Sequence, residues 1–257
     1  HKSLSDSKFD NVSIYDCTSQ WGVFSIAGPK SRNFLKKLVV SEDPGKTLSN
    51  KQFPWLSYRD IEIGMCPVRA LRVAYTGELG WELHHPIEMQ NYLLDILLSS
   101  GKEFNLKLVG ARAQNWLRQE KSYKAFGSDL GRDAGPFESK LSRFVDINKN
   151  FLGKDALLKR KTDVSCVTLL IDGPKDIDPW GREALYNATE EVMLGRLTSA
   201  GYSVHFKRSI GIGYVKSSFS EVGTKLRIKI DDTFWNAEIV RDSPYDPQNE
   251  RIIDRAQ

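Results

Sequence analysis

Cysteine is scarce in this chain: three among 257 residues, Cys17, Cys66 and Cys166, lie far apart with no CxxC and no Cys/His cluster. That spacing excludes a disulfide framework and leaves no metal site to expect; buried free thiols in a reducing compartment are the reading it supports. No apolar run approaches the ~20 residues of a membrane helix, and no charged-then-apolar leader opens the chain, so no membrane association is expected. Charge of one sign is lacking too. With 37 basic against 33 acidic residues the net charge is +4, too small to argue for nucleic acid, although an anionic small molecule is compatible with it. No GxGxxG follows a strand pattern, which excludes a dinucleotide-binding domain within this sequence. Internal repeats and low-complexity segments are absent as well. An intracellular protein of the cytoplasm, or of the mitochondrial matrix in a eukaryote, is expected.

What is present is ordinary globular composition, 40% apolar and 27% charged, in two regimes. From Val12 to Lys161 short strand and helix patterns alternate, as in an α+β domain. Gly22 to Ala27 predicts a strand running into Gly28-Pro29 and a helix over Pro29 to Leu38. Val68 to Tyr75 and Trp81 to His84 predict strands, and a helix follows Pro86 through Leu98. Ala111 to Lys121 predicts a helix with Ala113, Trp116, Leu117 and Glu120 on one face, and a short helix follows Gly153. After Lys161 the runs Val164 to Asp172, Val192 to Leu197, Ser209 to Val215, Lys225 to Ile230 and Trp235 to Val240 are strand-like and separated by turn residues. Residues 1–161 and 162–257 thus read as two domains, the second a small antiparallel barrel or sandwich.

The stretch VAYTGELGWELHHP, Val73 to Pro86, carries most of the chemical interest. With Gly77 to Gly80 as a hairpin loop, Tyr75 would face Glu82 and Thr76 would face Trp81 across two strands. A tyrosine beside a carboxylate makes a clamp for a flat heterocycle whose amidine-like edge offers two parallel N–H donors, as a pterin or guanine does. A cross-strand Tyr-Glu pair on a solvated face is the other reading, and Glu78 at the tip reads as a solvated turn residue. His84 and His85 point to opposite faces, so the pair makes no metal site. His205 lies in a predicted loop without a visible partner, and Ser199 and Ser203 lack triad partners. Lys154, Lys159, Arg160 and Lys161 form a basic cluster for a polyglutamate tail, an acidic carrier, or simply solvent.

The stretch resembles the YTGExGxE signature of the glycine-cleavage T-protein (aminomethyltransferase) family. Further stretches match in order: SIAGPKSRNFLKKL, GARAQNWLRQEKSYKAFGSDL, GPFESKL, FLGKDALLKRK, LGRLTSAGYS and SIGIGYV. The segment LRQEKSYKAFGSDLGRDAGPFESKL and the terminal SPYDPQNER are more similar to the folate-binding C-terminal region of dimethylglycine and sarcosine dehydrogenases than to the free-standing T-protein.

The resemblance implies a T-protein-like folate-binding α/β region, 1–161, followed by a C-terminal β-barrel, 162–257. It implies that Glu82 binds the pterin edge of tetrahydrofolate, that Tyr75 packs near it, and that Arg118 and Phe126 belong to the same cofactor-binding set. Arg118 and Glu120 also fit a capping or core ion pair. The implied chemistry is transfer of a methylene group from a small N-methyl or aminomethyl donor to tetrahydrofolate, giving methylenetetrahydrofolate. FAD is implied only if a flavoprotein domain or subunit accompanies the chain, which would then be a fragment, a subunit or a stand-alone relative. Two positions depart from the T-protein pattern: Gln114 stands for an arginine and Phe126 for a tyrosine. The family's catalytic aspartate lies N-terminal to every matched stretch, and neither Asp10 nor Asp16 sits in its motif, so the catalytic residue is unknown. The alternative is a non-catalytic regulatory or partner-binding relative, as in the family's pyruvate dehydrogenase phosphatase regulatory branch.

Overall fold

Chain contacts group the molecule into two units. A computed structural model describes residues 13–160, 162–173 and 177–254. The first unit takes in the described residues up to Ala74, Glu78–Lys107 and the end from Ile252; the second takes in Tyr75–Gly77 and Leu108–Arg251. Asp10 and Lys161 of the sequence reading lie outside the described residues.

In the first unit the strands β1 (Trp21–Ala27), β2 (Tyr58–Ile63), β3 (Cys66–Leu71) and β4 (Gly80–Pro86) form an antiparallel sheet of order β1-β4-β3-β2. Helices α1 (Ser31–Lys36), α2 (Pro44–Thr47) and α3 (Gln90–Gly101) accompany it. Alternation sends Val68, Ala70, Trp81 and Leu83 to one face, where Phe34, Leu35, Leu93 and Leu97 complete the core. α1 is shorter than the predicted Pro29–Leu38 helix: Gly28 adopts φ +129 and its N–H donates to Leu79 O, so Gly28-Pro29 form the entry turn. The sequence reading passed over β2, an edge strand whose outward residues Tyr58, Asp60 and Glu62 are polar or charged; such edges resist pairing with other chains and carry little hydrophobic signal.

β3 ends at Leu71 rather than at Tyr75, because Arg72 turns inward. Its N–H donates to Ser57 O, and its guanidinium donates to Phe53 O at 2.6 Å and Ile253 O at 2.5 Å. Burial, together with the neighbouring Arg32 charge, pulls Arg72 down to about 10, still cationic at neutral pH. Arg32, equally buried, donates to Leu48 O, Asn50 and Asp254. Both guanidinium carbons lie over the Trp81 ring, at 5.7 and 5.6 Å.

The second unit holds α4 (Ala111–Glu120), α5 (Lys154–Lys159) and the strands β5 (Val164–Ile171), β6 (Ala184–Tyr186), β7 (Met193–Ser203), β8 (Arg208–Lys216), β9 (Lys225–Ile230) and β10 (Thr233–Val240); a last helix, α6 (Glu250–Ile253), has only its first two residues in this unit. The strands close a barrel in the order β10-β5-β8-β7-β6-β9 around Leu169, Leu185, Leu197, Val215, Ile228 and Ile239. Closure decides between the barrel and the sandwich. β7 runs six residues past the predicted end at Leu197, through TSAGYS. Two glycines of this strand permit close approach: a Cβ on Gly195 would lie 1.9 Å from Tyr214 O, and one on Gly201, beyond the predicted end, 2.0 Å from Trp116 Cδ1 of α4.

Cys66 and Cys166 are buried and free, whereas Cys17 is exposed, which corrects the expectation of buried thiols for one of the three. Burial pushes the Cys166 thiol up to about 11 and the Tyr214 phenol up to about 12. A thiol-specific chromogenic reagent at pH 8 should therefore report one fast cysteine in the native chain and all three in denaturant; Cys17→Ser should abolish the fast phase. The raised values stabilise the fold fully below the ordinary thiol value of 9.0. That contribution is lost as pH rises through the folded values, so alkaline melting should begin above pH 9.

Candidate functional site

Glu82 sits on the sheet face opposite Trp81 and Leu83. Register places Ser25 on β1 and Leu71 on β3 directly beside it, and Leu71 in turn faces Tyr58. This row puts a carboxylate between small, aliphatic and aromatic neighbours on a pleated surface. The Glu82 side chain is 36% exposed, and its Oε2 is 3.2 Å from His84 Nε2 on the same face. His85, on the other face, is buried, stacks on Phe24 at 4.9 Å and pairs through Nδ1 with Leu83 O. The opposed orientation of the two histidines is as the strand period requires.

The predicted pairings of Tyr75 with Glu82 and Thr76 with Trp81 are not formed. β4 is registered with Leu71 at Glu82, and Trp81 pairs with Ile26. Residues 72–79 form a longer connection in which Leu79 is core and Gly80 already belongs to the strand. Glu78, read as a solvated tip, is half-buried. A groove of about 410 Å³ lined by Trp21, Val40, Glu62 and Arg69 lies along other rows of the sheet and includes none of the predicted site residues.

Tyr75 has its own setting within the second unit. Its ring stacks on Tyr123 with centroids 5.9 Å apart and planes 15° apart, and its hydroxyl donates to Lys124 O at 3.2 Å. Burial raises the phenol above its ordinary value, so it remains a donor. The sequence reading missed Tyr123, although YK within QEKSYKAF supplied the aromatic two residues after Lys121.

Arg118 lies inside the unit. Its Nε donates to Asn115 at 2.8 Å, one terminal nitrogen to Tyr123 O at 2.6 Å and Asp129 at 2.7 Å, the other to Ser199 Oγ at 2.7 Å. Asp129, the partner that the sequence reading missed, also accepts from Ala125 N, Thr198 Oγ1 and Ser199 Oγ. Arg118 thereby fixes the tight loop 125–130, on which Phe126 stands 89% exposed. Along the predicted face of α4 burial is uneven: Ala113 is exposed, Trp116 and Leu117 are half-buried, and Glu120 is buried together with Arg118 and Gln119. Burial increases along the helix axis because its last turn enters a polar network, where Glu120 accepts from Ser203 Oγ.

Gln114 is half-buried on α4. His205 is not without partners, since its ring packs edge-on to Tyr245 at 4.7 Å and to Phe206. Ser199 meets Asp129 and Arg118, not a histidine. Of the basic cluster, Arg160 pairs with Glu138 at 3.0 Å, while Lys154 and Lys159 begin and end α5. Asp16 accepts from Thr18 in a local turn.

This geometry can be set beside known proteins. The family model described as "GCVT N-terminal domain" matches residues 1–149, and "Glycine cleavage T-protein C-terminal barrel domain" matches residues 165–246. The mitochondrial dimethylglycine dehydrogenase of Homo sapiens is 36% identical over 90% of this chain and 26% of its own length. An aminomethyltransferase of Caldanaerobacter subterraneus subsp. tengcongensis is 29% identical over 92% of this chain and 62% of its own length. The chain thus spans about a quarter of the dehydrogenase and under two thirds of the transferase. The crystal structure of the glycine cleavage system aminomethyltransferase T from Bartonella henselae superposes with a TM-score of 0.74, covering 88% of this chain and 60% of that one at 20% identity, a likeness of fold. The match of both family models, with dimethylglycine dehydrogenase-like identity across the same span, shows that the chain belongs to the glycine cleavage T-protein family.

Proposed function

We propose that this chain is a tetrahydrofolate-binding one-carbon transfer module, with Glu82 accepting the pterin edge. The observation that carries the reading is the placement of Glu82. A half-exposed carboxylate on the outer face of a rigid central strand, beside Ser25 and Leu71, offers acceptor oxygens and a flat flank to a planar ring. That acceptor pair fits the amidine-like edge of a reduced pterin, which presents parallel N–H groups and no charge of its own. Tyr75 and Phe126 are assigned to aromatic contact with the ligand, and Arg118 to the same site through the loop it fixes.

Tetrahydrofolate, when bound, supplies the nitrogen that accepts the one-carbon unit. The chain's residues hold and orient: a fixed pterin edge turns an encounter with a methylene donor into a positioned reaction. The carboxylate that would assist proton transfer is not assigned among these residues. The amine donor is assigned by class, an N-methyl or aminomethyl compound, in keeping with the names of the dehydrogenase and transferase relatives. FAD is assigned only to a separate flavoprotein domain or subunit. The division into a folate region, 1–161, and a barrel, 162–257, is part of the same proposal. The word "mitochondrial" in the dehydrogenase names supports the matrix as compartment; among the described residues no helix is long and apolar enough to cross a membrane.

An anaerobic calorimetric titration with tetrahydrofolate tests this reading. Saturable binding with one site per chain is expected. No heat and no competition by other reduced folates, in a chain with a cooperative melt, would leave the non-catalytic alternative in its place.

A further inference from the structure

The terminal segment SPYDPQNER, which no part of the one-carbon reading uses, grips the turn that follows α4. Ser243 N donates to Ser122 Oγ at 2.8 Å, and Tyr245 N donates to Glu120 O at 3.0 Å. The Lys121 ammonium, on a side chain 0% exposed, donates to Asp246 O at 2.6 Å and Asn249 Oδ1 at 2.8 Å. The segment is itself braced. Asp246 accepts from Glu250 N and Arg251 N, and the Tyr245 ring meets His205 and the Arg251 guanidinium.

The gripped turn in turn holds Tyr75–Gly77. Gly77, at φ +80, lies so close to the Lys121 stem that an added Cβ would stand 2.6 Å from Lys121 Cγ. Two residues away, the Tyr75 ring stacks on Tyr123 and its hydroxyl donates to Lys124 O. The segment 121–124 therefore supports both ends of Tyr75–Gly77, while the terminal strap fixes it at Lys121 and Ser122 and fixes the end of α4 at Glu120. A buried ammonium needs its acceptors. Removing it leaves the strap held to this turn by Ser243 N and Tyr245 N alone and loosens the support beneath Gly77.

We propose that Lys121, held by Asp246 and Asn249 of the terminal strap, is a positioning residue that sets the Tyr75 ring for the folate; this rests on the one-carbon reading above. Lys121 does not touch ligand. It acts through the Gly77 backbone and the 121–124 turn, which makes the C-terminal segment part of the machinery that shapes the site.

The test uses Lys121→Met, which keeps an unbranched stem under Gly77 and removes the charge, and Asn249→Gly, which removes one acceptor at a position already at φ +57. The second variant serves if the first fails to fold. Amide hydrogen exchange is read at 74–78 without ligand, and tetrahydrofolate affinity is read in a cycle with Tyr75→Ala. Faster exchange at Tyr75–Gly77 is expected in both variants. In the Tyr75 background Kd should rise about tenfold on Lys121→Met, within the range for coupled neighbours, and by less than about twofold once Tyr75 is alanine. A merely structural lysine would give additive losses in the cycle, which overturns the proposal, as does unchanged exchange at 75–77 in both variants. Absence of tetrahydrofolate binding by the parent chain overturns the one-carbon reading and this role with it, whereas binding that is indifferent to Lys121 overturns this role alone.

Discussion

Replacing Arg118 with methionine should destabilise the second unit by about 3–5 kcal/mol, the cost of leaving a buried carboxylate without its cation. The side chains of Arg118 and Asp129 are 3% and 0% exposed and meet at 2.7 Å. After the substitution Asp129 keeps Ala125 N, Thr198 and Ser199 as donors but loses its neutralising charge. Melting of the variant should fall by roughly 10 °C, given a few degrees per kcal/mol for a domain of this size. Asp129→Asn added to Arg118→Met should recover more than half of the loss, because an amide needs no counter-charge. Additive destabilisation in that cycle would show that the pair is not coupled. A role for Arg118 as a direct ligand contact makes a different prediction, namely an unchanged melt with lost folate affinity. Calorimetry on the same variant separates the two.

The second large effect lies on β4. Trp81→Ala should cost about 3–5 kcal/mol, the range for truncating a large buried aromatic. Trp81 is 0% exposed, meets Phe53 edge-on at 5.0 Å, and donates from its indole N–H to Ser31 Oγ at 3.3 Å. It also provides the π-face over which the Arg32 and Arg72 guanidiniums lie, so its loss leaves two buried cations with less compensation. The expected outcome is a cooperative early transition, followed by intrinsic fluorescence of the remaining tryptophans or by calorimetric melting. A melt unchanged within about 0.5 kcal/mol, the range of ordinary surface substitutions, would mean that Trp81 is not at the centre of this core. Glu82→Ala, one residue along, should leave the melt in place. Strand alternation divides the two residues between the core face and the outer face of the sheet.

Much of this division was legible in the sequence. The alternation W-E-L-H-H put Trp81 and Leu83 against Glu82 and His84, and the structure keeps that separation. The barrel was legible as strand-like runs such as Lys225 to Ile230, whose period-two pattern survives in β9. What could not be read was long-range. No local pattern announces that Arg72 will turn inward toward Phe53 and Ile253, and that single buried guanidinium ends β3 and cancels the predicted pairing of Tyr75 with Glu82. TSAGYS lay beyond the predicted strand end at Leu197 because small residues carry little strand signal; in the barrel it continues β7, and the smallness of Gly201 admits the Trp116 indole. The polar burial of α4 likewise depends on Asp129, Ser199 and Ser203, the serines more than 80 residues distant from the α4 side chains they meet. Arg118 and Phe126 were picked out by resemblance, but only the hydrogen-bond network indicates that the one fixes the loop bearing the other.

The central claim is that the Glu82 carboxylate meets the pterin edge, and one measurement tests it most directly. Tetrahydrofolate and its analogue lacking the 2-amino group are titrated into the parent chain and into Glu82→Ala under anaerobic conditions. The account predicts that the parent prefers tetrahydrofolate by about 1–3 kcal/mol, the value of a charged hydrogen bond, and that Glu82→Ala binds both ligands equally with an unchanged melt. Equal preference in the parent, or a preference that survives in Glu82→Ala, would contradict it.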